Sequence, residues 1–145
     1  MFIPKKRKYR KVHAGRIGGK GLATSRTSLA IGNYGLKLLK GCDLKVNQLE
    51  SARVAARKAT ARLGQIIFRI QADLPKTKKP LEVRMGSGKG PIDHYAARVR
   101  AGTIIFEIEG VTQEVAEDAC RRAGLKLPVP STIIIRPPLD VMHKR

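Results

Sequence analysis

The residues of this chain with the most distinctive chemistry form a glycine-rich basic segment, Arg84-Met85-Gly86-Ser87-Gly88-Lys89-Gly90-Pro91. It is superficially similar to a nucleotide-binding loop. A Walker loop, however, needs a glycine six positions before its lysine and Ser or Thr after it, and Val83 and Gly90 stand there. We therefore predict a loop whose glycines let the backbone approach a phosphate or sugar, with Arg84 and Lys89 supplying charge. A plain hairpin loop is the alternative interpretation.

No set of side chains has the spacing of a catalytic or metal site. His13, His94 and His143 are isolated, and no Ser, His and Asp set has a motif around it. Cys42 and Cys120 lie far apart without the spacing of a zinc site or of a disulfide-built secreted fold, which favours a reducing compartment. We interpret Cys120 as a small core residue. The sequence thus predicts no enzyme, no metal, no cofactor and no small-molecule substrate.

The charge of the chain indicates a polyanionic partner. Among 145 residues, 30 Lys and Arg face 11 Asp and Glu, a net charge of +19. Residues 1–42 contain eleven basic residues and no acid, whereas residues 101–120 contain five acids and no Lys or Arg. We expect these acids to be solvated on a helix and a hairpin that face away from the phosphate groups of that partner. No apolar stretch approaches the roughly 20 residues that span a bilayer, so we predict no membrane partner.

The chain divides into a basic arm (1–27), an α+β domain (28–136) and a tail (137–145). The arm has no apolar segment of a secretory signal, and its proline and glycines would break the helix of a transit peptide. It also has no apolar stripe to bury, so we expect it to become ordered on RNA. We select as RNA-contacting residues Lys5, Lys6, Arg7, Lys8, Arg10, Lys11, His13, Arg16, Lys20, Arg53, Arg57, Lys58, Arg62, Lys78, Lys79, Arg84 and Lys89.

Hydrophobic periodicity predicts the elements of the domain. Apolar residues repeat every three or four positions from Val46 to Leu63, which indicates a helix with one buried and one cationic side, ended by Gly64. A second helix, Gln113–Ala123, follows Thr112 as its N-cap. We expect its Glu117–Arg121 and Asp118–Arg122 pairs to form across one turn.

Alternating patterns predict the strands, and we expect one antiparallel or mixed sheet, paired in sequence order, with both helices packed on it. Residues 28–39 are predicted to be extended and broken at two glycines, and Pro75 and Pro80 to enclose a basic loop. Ala101-Gly102 is predicted to join two strands as a hairpin. The remaining strands are Ile66–Ile70, Leu81–Met85, His94–Arg100, Thr103–Glu109 and Ser131–Arg136.

Several blocks, in this order and spacing, resemble the bacterial-type universal large-subunit ribosomal protein sixteen family over residues 1 to about 135. They are Pro4-Lys5-Lys6-x-Lys8-Tyr9-Arg10-Lys11-x-His13-x-Gly15-Arg16, Gly32-x-Tyr34-Gly35-Leu36, Gln48-x-Glu50-x-Ala52-Arg53, Lys79-Pro80-Leu81-Glu82-Val83-Arg84-Met85-Gly86-Ser87-Gly88-Lys89-Gly90, Phe106-Glu107-Ile108-x-Gly110-Val111 and Lys126-Leu127-Pro128. The family usually has Trp at the positions of Phe68 and Ala96. A free-standing basic RNA chaperone or nucleic-acid-compacting protein would explain the charge equally well, but not the ordered glycine-rich block.

The resemblance implies a hammerhead-type α+β domain that binds large-subunit rRNA beside the central protuberance, next to neighbouring ribosomal proteins. It also implies a part in the aminoacyl-tRNA site near the peptidyl transferase centre, with Arg84, Met85, Gly86 and Lys89 close to tRNA. The segment Ile92-Asp93-His94-Tyr95 is more similar to mitochondrial members than to bacterial ones. We therefore expect a mitochondrial ribosome, with the bacterial cytoplasm or a plastid as alternatives.

Overall fold

The computed structural model describes residues 2–5, 8–13, 15 and 19–137. The selected residues Lys6, Arg7 and Arg16, and the tail after residue 137, lie outside the described residues. In chain order the elements are β1 (Tyr34–Leu38), β2 (Cys42–Lys45), α1 (Val46–Ala59), β3 (Gln65–Phe68), β4 (Leu74–Thr77), β5 (Ile92–Val99), β6 (Ile104–Glu109), α2 (Gln113–Gly124) and β7 (Ser131–Ile135). The predicted α+β class is confirmed.

The strands form two antiparallel sheets rather than one sheet paired in sequence order. The larger has the order β3-β6-β1-β7 and the smaller the order β2-β5-β4. The predicted hairpin between β5 and β6 is wrong, because both edges of β5 are occupied by β2 and β4. Instead the turn after β5 bonds to the end of β1: Gly102 N donates to Leu38 O at 2.7 Å, and Leu38 N donates to Thr103 O at 3.0 Å. The chain then crosses to the larger sheet.

Two other strand predictions fail. Residues 81–85 form an exposed loop, with Leu81 98% and Met85 96% exposed, so nothing packs on their apolar side chains. The segment predicted as a basic loop after Pro75 instead contains β4, where the proline is tolerated because β4 is an edge strand. The short strand β2 was not predicted, and β1 runs through Gly35, where a break was expected.

Helix α1 ends four residues before the predicted Leu63. Its last turn closes on the buried Thr60, and Ala61 and Arg62 then adopt left-handed φ values of 49° and 67° that turn the chain towards β3. Leu63 is consequently exposed rather than part of the apolar stripe. Gly64, predicted as the end of the helix, has a φ of 71° and lies against the Glu109 carbonyl of β6, where a Cβ would not fit.

Helix α2 begins after Thr112 as predicted, although the threonine hydroxyl caps no backbone N–H. Only one of the two expected ion pairs forms: Asp118 binds Arg122 at 2.7 Å. Asp118 also binds Arg121 at 2.7 Å, and Glu117 instead accepts a hydrogen bond from Gln113. The carboxylate of Asp118 is one residue closer to both guanidinium groups, so it takes both.

The core is mostly aliphatic, and the helix residues that it contains are mainly small. Strand β6 is buried on both faces, and Phe106 is its largest side chain. Buried alanines and Cys120 let α1 and α2 pack against each other and the strands. Burial, followed by the charge of Glu117, raises the pKa of the Cys120 thiol to about 12, which keeps it neutral. Cys120 is therefore the core residue that was predicted.

Phe2 belongs to this core, although the arm was expected to bury nothing. Its side chain is 5% exposed, and its ring packs edge-on against Phe68 with ring centroids 4.8 Å apart. Phe68 in turn contacts Phe106 at 5.3 Å. The beginning of the arm is thus attached to the larger sheet through an aromatic row.

Candidate nucleic-acid interface

Two of the predicted basic segments, the arm and the glycine-rich loop, lie side by side. Lys11 Nζ donates to the Lys89 carbonyl at 2.6 Å, and Lys89 Nζ donates to the Val12 carbonyl at 2.6 Å. The two lysines are exposed, so each keeps part of its charge towards solvent while it ties the other segment in place. Residues that are 78 positions apart therefore form one basic surface.

The glycine-rich loop is shaped by left-handed backbone. Gly86, Ser87 and Gly88 have φ values of 104°, 55° and 80°. No atom lies within 4 Å of a Cβ built on either glycine, so the glycines serve the backbone conformation and not a close approach within the protein. Lys79 Nζ donates to the Gly86 carbonyl and supports the turn from below. Residues 84–89 of the loop are all exposed to solvent.

Arg84 is exposed at the start of this loop and makes no hydrogen bond or ion pair with any described residue. A guanidinium group that is free of protein partners can bind a phosphate bidentately without first breaking a protein contact. The neighbouring Met85 is also exposed. The tip of the loop thus offers one unpaired charge and one apolar side chain.

The arm covers a cleft against the smaller sheet. The cleft has a volume of about 620 Å³ and includes Lys5, Tyr9 and Arg10 on one side and Asp93 and His94 of β5 on the other. A hydrogen bond from His94, at 2.7 Å, lowers the pKa of Asp93. The remaining predicted arm residues in the described part, Lys8, His13 and Lys20, are exposed.

The predicted cationic side of α1 is only partly free. Arg57 and Lys58 are exposed, whereas Arg53 is held by Glu50 of the same helix, with a 2.5 Å separation. Arg62 is exposed but lies in the turn after the helix and not in its cationic row. Of the two lysines before the glycine-rich loop, Lys78 is exposed and Lys79 is partly buried.

Glu107 is the residue whose role the sequence most clearly misrepresented. It was expected among the solvated acids, but its side chain is fully buried. Its carboxylate accepts hydrogen bonds from the backbone N–H groups of Ala30, Ile31 and Gly32 at 2.8–3.1 Å, and from Arg69 at 2.5 Å. The clamp that Glu107 forms holds the segment before β1 onto the larger sheet.

The pKa of Glu107 reflects two opposing effects. Burial disfavours the charged form and raises the pKa, but the hydrogen bonds from Ile31, Ala30, Gly32 and Arg69 outweigh burial, so the pKa is lowered. The carboxylate is therefore ionised at neutral pH. A signal in the sequence was the position of Glu107 between Phe106 and Ile108, two core residues of β6.

Clusters of metal-ligand side chains and membrane-spanning helices are both absent from the residues that the structure describes. Within the part of the chain that the structure covers, no three His, Cys, Asp or Glu side chains come together as metal ligands. Among the same residues, neither helix combines the length and apolar character needed to cross a bilayer.

Comparison with known proteins gives matches over nearly the whole chain. The sequence model of the family described as ribosomal protein L16p/L10e matches residues 4–134. The large ribosomal subunit proteins uL16 of Stenotrophomonas maltophilia (strain R551-3) and Borrelia recurrentis (strain A1) are each 45% identical over 136 residues, 94% of this chain and 98% or 97% of theirs. That of Rickettsia felis is 46% identical, over 94% of this chain and 98% of its own. With the motif blocks, the fold and these matches in agreement, the chain belongs to the ribosomal protein L16p/L10e family.

Proposed function

We propose that this chain is a structural constituent of the large ribosomal subunit, not an enzyme, and that it binds large-subunit rRNA among neighbouring ribosomal proteins. Family membership supports the assembly, since the relatives are named as proteins of that subunit. The net charge of +19 supports a partner made of phosphate.

The observation that carries the proposal is the reciprocal bonding of Lys11 and Lys89. These two hydrogen bonds join the acid-free arm to the glycine-rich loop, so the two basic segments form one continuous surface. Lysines that bond to carbonyls, and not to carboxylates, leave their charge uncompensated, and an uncompensated basic surface attracts a polyanion. The described arm, α1 and loop residues that were selected from the sequence are the contacts we propose for rRNA.

We also propose that the tip of the loop, with Arg84, Met85, Gly86 and Lys89, helps to shape the aminoacyl-tRNA site near the peptidyl transferase centre. Its support is the exposure of Arg84 and Met85 and the absence of a described protein partner for the guanidinium group. Such a loop contributes little to the core and can reach a second RNA while the arm holds the first. The functional division we propose is the arm 1–27, the domain 28–136 and the tail 137–145.

We propose a mitochondrial ribosome as the location, because the segment around Asp93 and His94 is similar to mitochondrial members. Cell fractionation tests this: the protein should co-purify with mitochondrial ribosomes. Recovery only with cytoplasmic or plastid ribosomes would contradict the proposed compartment and leave the ribosomal assignment intact.

The experiment for the ribosomal assignment is sedimentation of a tagged chain in a sucrose gradient. We expect the protein in large-subunit and whole-ribosome fractions, and its release at high salt together with loss of rRNA contacts. A chain that remains at the top of the gradient while it binds bulk RNA without preference would contradict the proposal. That result would support a free-standing RNA chaperone or nucleic-acid-compacting protein.

A further inference from the structure

A second cationic cleft lies apart from the glycine-rich loop, and Phe2 and Arg26, near the two ends of the arm, are part of its lining. It has a volume of about 590 Å³, and four arginines from three separate segments of the chain line it: Arg26, Arg53, Arg57 and Arg69. Arg26 precedes β1, two of the arginines are on α1, and Arg69 follows β3. Arg26 and Arg69 were not selected from the sequence.

The four guanidinium groups are not equivalent. Arg53 is paired with Glu50 and Arg69 with Glu107, each at 2.5 Å, so both are held in place by carboxylates. Arg26 and Arg57 are exposed and form no side-chain hydrogen bond or ion pair with any described residue. The cleft therefore presents two fixed and two uncompensated positive groups, which is an arrangement that attracts an anion.

Arg26 is held at the cleft by an unusual backbone conformation. Its φ of 59° is left-handed, which an arginine rarely adopts, and its carbonyl accepts a hydrogen bond from Ile104 N at 2.9 Å. That bond ties the turn to the central strand β6. The backbone that carries the Arg26 side chain is therefore held in place by β6.

The floor of the cleft is apolar and aromatic. Phe2 and Ile70 are almost fully buried, and Phe68 and Ile66 are partly exposed beside them. Exposed apolar side chains would make no favourable contact with a phosphate group alone. A nucleotide whose base is unstacked offers both parts, since its phosphate binds arginine and its base covers aromatic or apolar side chains.

We propose that this cleft binds an unpaired nucleotide of RNA, with its phosphate between Arg26 and Arg57 and its base over Phe68. The inference rests on the proposed rRNA binding and adds to it a defined site and a nucleotide conformation. A duplex fits poorly, because a base within a helix cannot reach the apolar floor. An acidic protein segment would satisfy the arginines but would leave the same floor uncovered.

The test uses the full-length protein and three RNA hairpins that differ at one position: a single bulged nucleotide, an abasic bulge and a fully paired stem. Affinity is measured by fluorescence anisotropy over a series of salt concentrations. The variants are Arg26→Ala, Arg57→Ala and the charge-keeping Arg26→Lys. Lys126→Ala removes an exposed charge outside the cleft and is the matched control.

The wild-type protein should prefer the bulged hairpin to the other two. Arg26→Ala and Arg57→Ala should each weaken binding of that hairpin by about tenfold or more, the usual effect of one charged hydrogen bond, and reduce the salt slope by about 0.7–0.9. Arg26→Lys should retain the salt slope and lose part of the affinity, because an ammonium lacks the planar fork. Lys126→Ala should bind all three hairpins like the wild type.

Equal losses on the bulged and the paired hairpin would overturn the inference. The inference would also be overturned if Arg26→Ala and Arg57→Ala both bound the bulged hairpin with wild-type affinity. If Lys11→Ala weakened binding in that case, the proposal of rRNA binding would stand without this cleft. Wild-type protein that binds none of the hairpins would overturn both. If a hexaglutamate peptide, and not RNA, depended on Arg26 and Arg57, the cleft would be a site for acidic protein and the inference would fail.

Discussion

Glu107 shows how one buried carboxylate can organise distant parts of a basic protein. Its charge is compensated by three backbone N–H groups and by Arg69, and these donors come from the segment before β1 and from the end of β3. A buried carboxylate with all its donors in place is stable, whereas removal of one partner leaves the others buried and unsatisfied. The segment that Glu107 holds, residues 30–32, lies a few positions after Arg26, which lines the second cleft.

Replacing Glu107 by Gln should therefore destabilise the fold. An amide places N–H groups against N–H donors and leaves Arg69 without its carboxylate, so we expect a loss of about 3–5 kcal/mol in the free energy of unfolding. Urea denaturation followed by circular dichroism measures it. Glu109→Gln is the control on the same strand, where the side chain is exposed and a change within about 0.5 kcal/mol is expected. Equal effects would contradict the clamp.

The lowered pKa of Glu107 also predicts a dependence on pH. In the unfolded chain the pKa of this carboxyl returns to its ordinary value of about 4.3, so the unfolded state binds the proton more readily than the folded state. The stabilisation is therefore complete above about pH 5 and is lost as pH falls through the folded-state pKa. Urea midpoints between pH 7 and pH 3 should show the gap between wild type and Glu107→Gln narrowing in acid. A constant gap would contradict this account.

Arg84→Ala should separate assembly from function. The side chain is exposed and unpaired among the described residues, so the variant should fold and enter subunits normally. If the loop contacts aminoacyl-tRNA, loss of a charged hydrogen bond worth about 1.5–3 kcal/mol should weaken accommodation roughly ten- to hundred-fold. Pre-steady-state accommodation assays measure this, with initiator-tRNA binding in the neighbouring site as the unchanged control. An assembly defect without a tRNA defect would assign the loop to rRNA packing alone.

At the scale of elements, the basic residues of α1 and those of the smaller sheet differ in whether they have partners within the protein. α1 keeps Arg57 and Lys58 exposed, while in the smaller sheet Asp43 of β2 binds both Arg98 of β5 and Lys76 of β4. Burial would raise the pKa of Asp43, but the hydrogen bonds from these cations lower it. Arg98 and Lys76 thus join strands of this sheet, whereas Arg57 and Lys58 of α1 have no described protein partner for their side chains.

This contrast predicts opposite consequences for the two sides of α1. Arg57→Glu combined with Lys58→Glu should change stability by less than about 0.5 kcal/mol per site but should impair incorporation into the subunit. Leu49→Ala removes a fully buried side chain and should cost about 2–5 kcal/mol. Thermal melts and sucrose gradients of both variants provide the measurements. If both unfold alike, the assignment of the two sides of α1 is wrong.

At the scale of the whole molecule, cationic surfaces surround a core that is almost free of charge. The described part of the arm is joined to the fold at several points: Phe2 lies in the core, Lys11 bonds to the glycine-rich loop, and Ala23 N donates to the Ala101 carbonyl at 2.8 Å. Gly19 also packs against Gly41, and a Cβ on Gly41 would collide with the Gly19 carbonyl oxygen. Deleting the whole arm would therefore remove core packing together with charge. A test of electrostatics must keep the backbone and Phe2.

Neutralising four described arm residues, Lys5, Lys8, Arg10 and Lys11, by alanine should flatten the salt dependence of rRNA binding. Each phosphate contact that is lost should reduce the slope of log affinity against log salt by about 0.7–0.9, so the loss of four contacts should reduce it by up to about 3.6. Filter binding to large-subunit rRNA over a salt series measures the slope. Replacing Arg121, Arg122, Lys126 and Arg136 provides a variant with the same change in charge outside the arm. If both variants lose the same slope, binding depends on net charge and not on the arm.

The sequence by itself determined the features that are local along the chain. The periodicity of Leu49, Ala52 and Ala56 specifies a helix whatever it packs on, and the acid-free run of residues 1–42 is basic in any fold. The same holds for the glycine-rich loop, for α2 and for the alternating strands β5 and β7. Together with the motif blocks they identified the α+β class and the family.

Only the tertiary structure decided which distant segments meet. The separation of β5 from β6 depends on hydrogen-bonding edges that β2 and β4 occupy, and no pattern within the two strands records this. Likewise Glu107 was read as solvated because burial of a carboxylate depends on donors 75–77 residues earlier in the chain. Pairing and charge compensation are non-local, since their free energy depends on contacts that form only after the chain has folded.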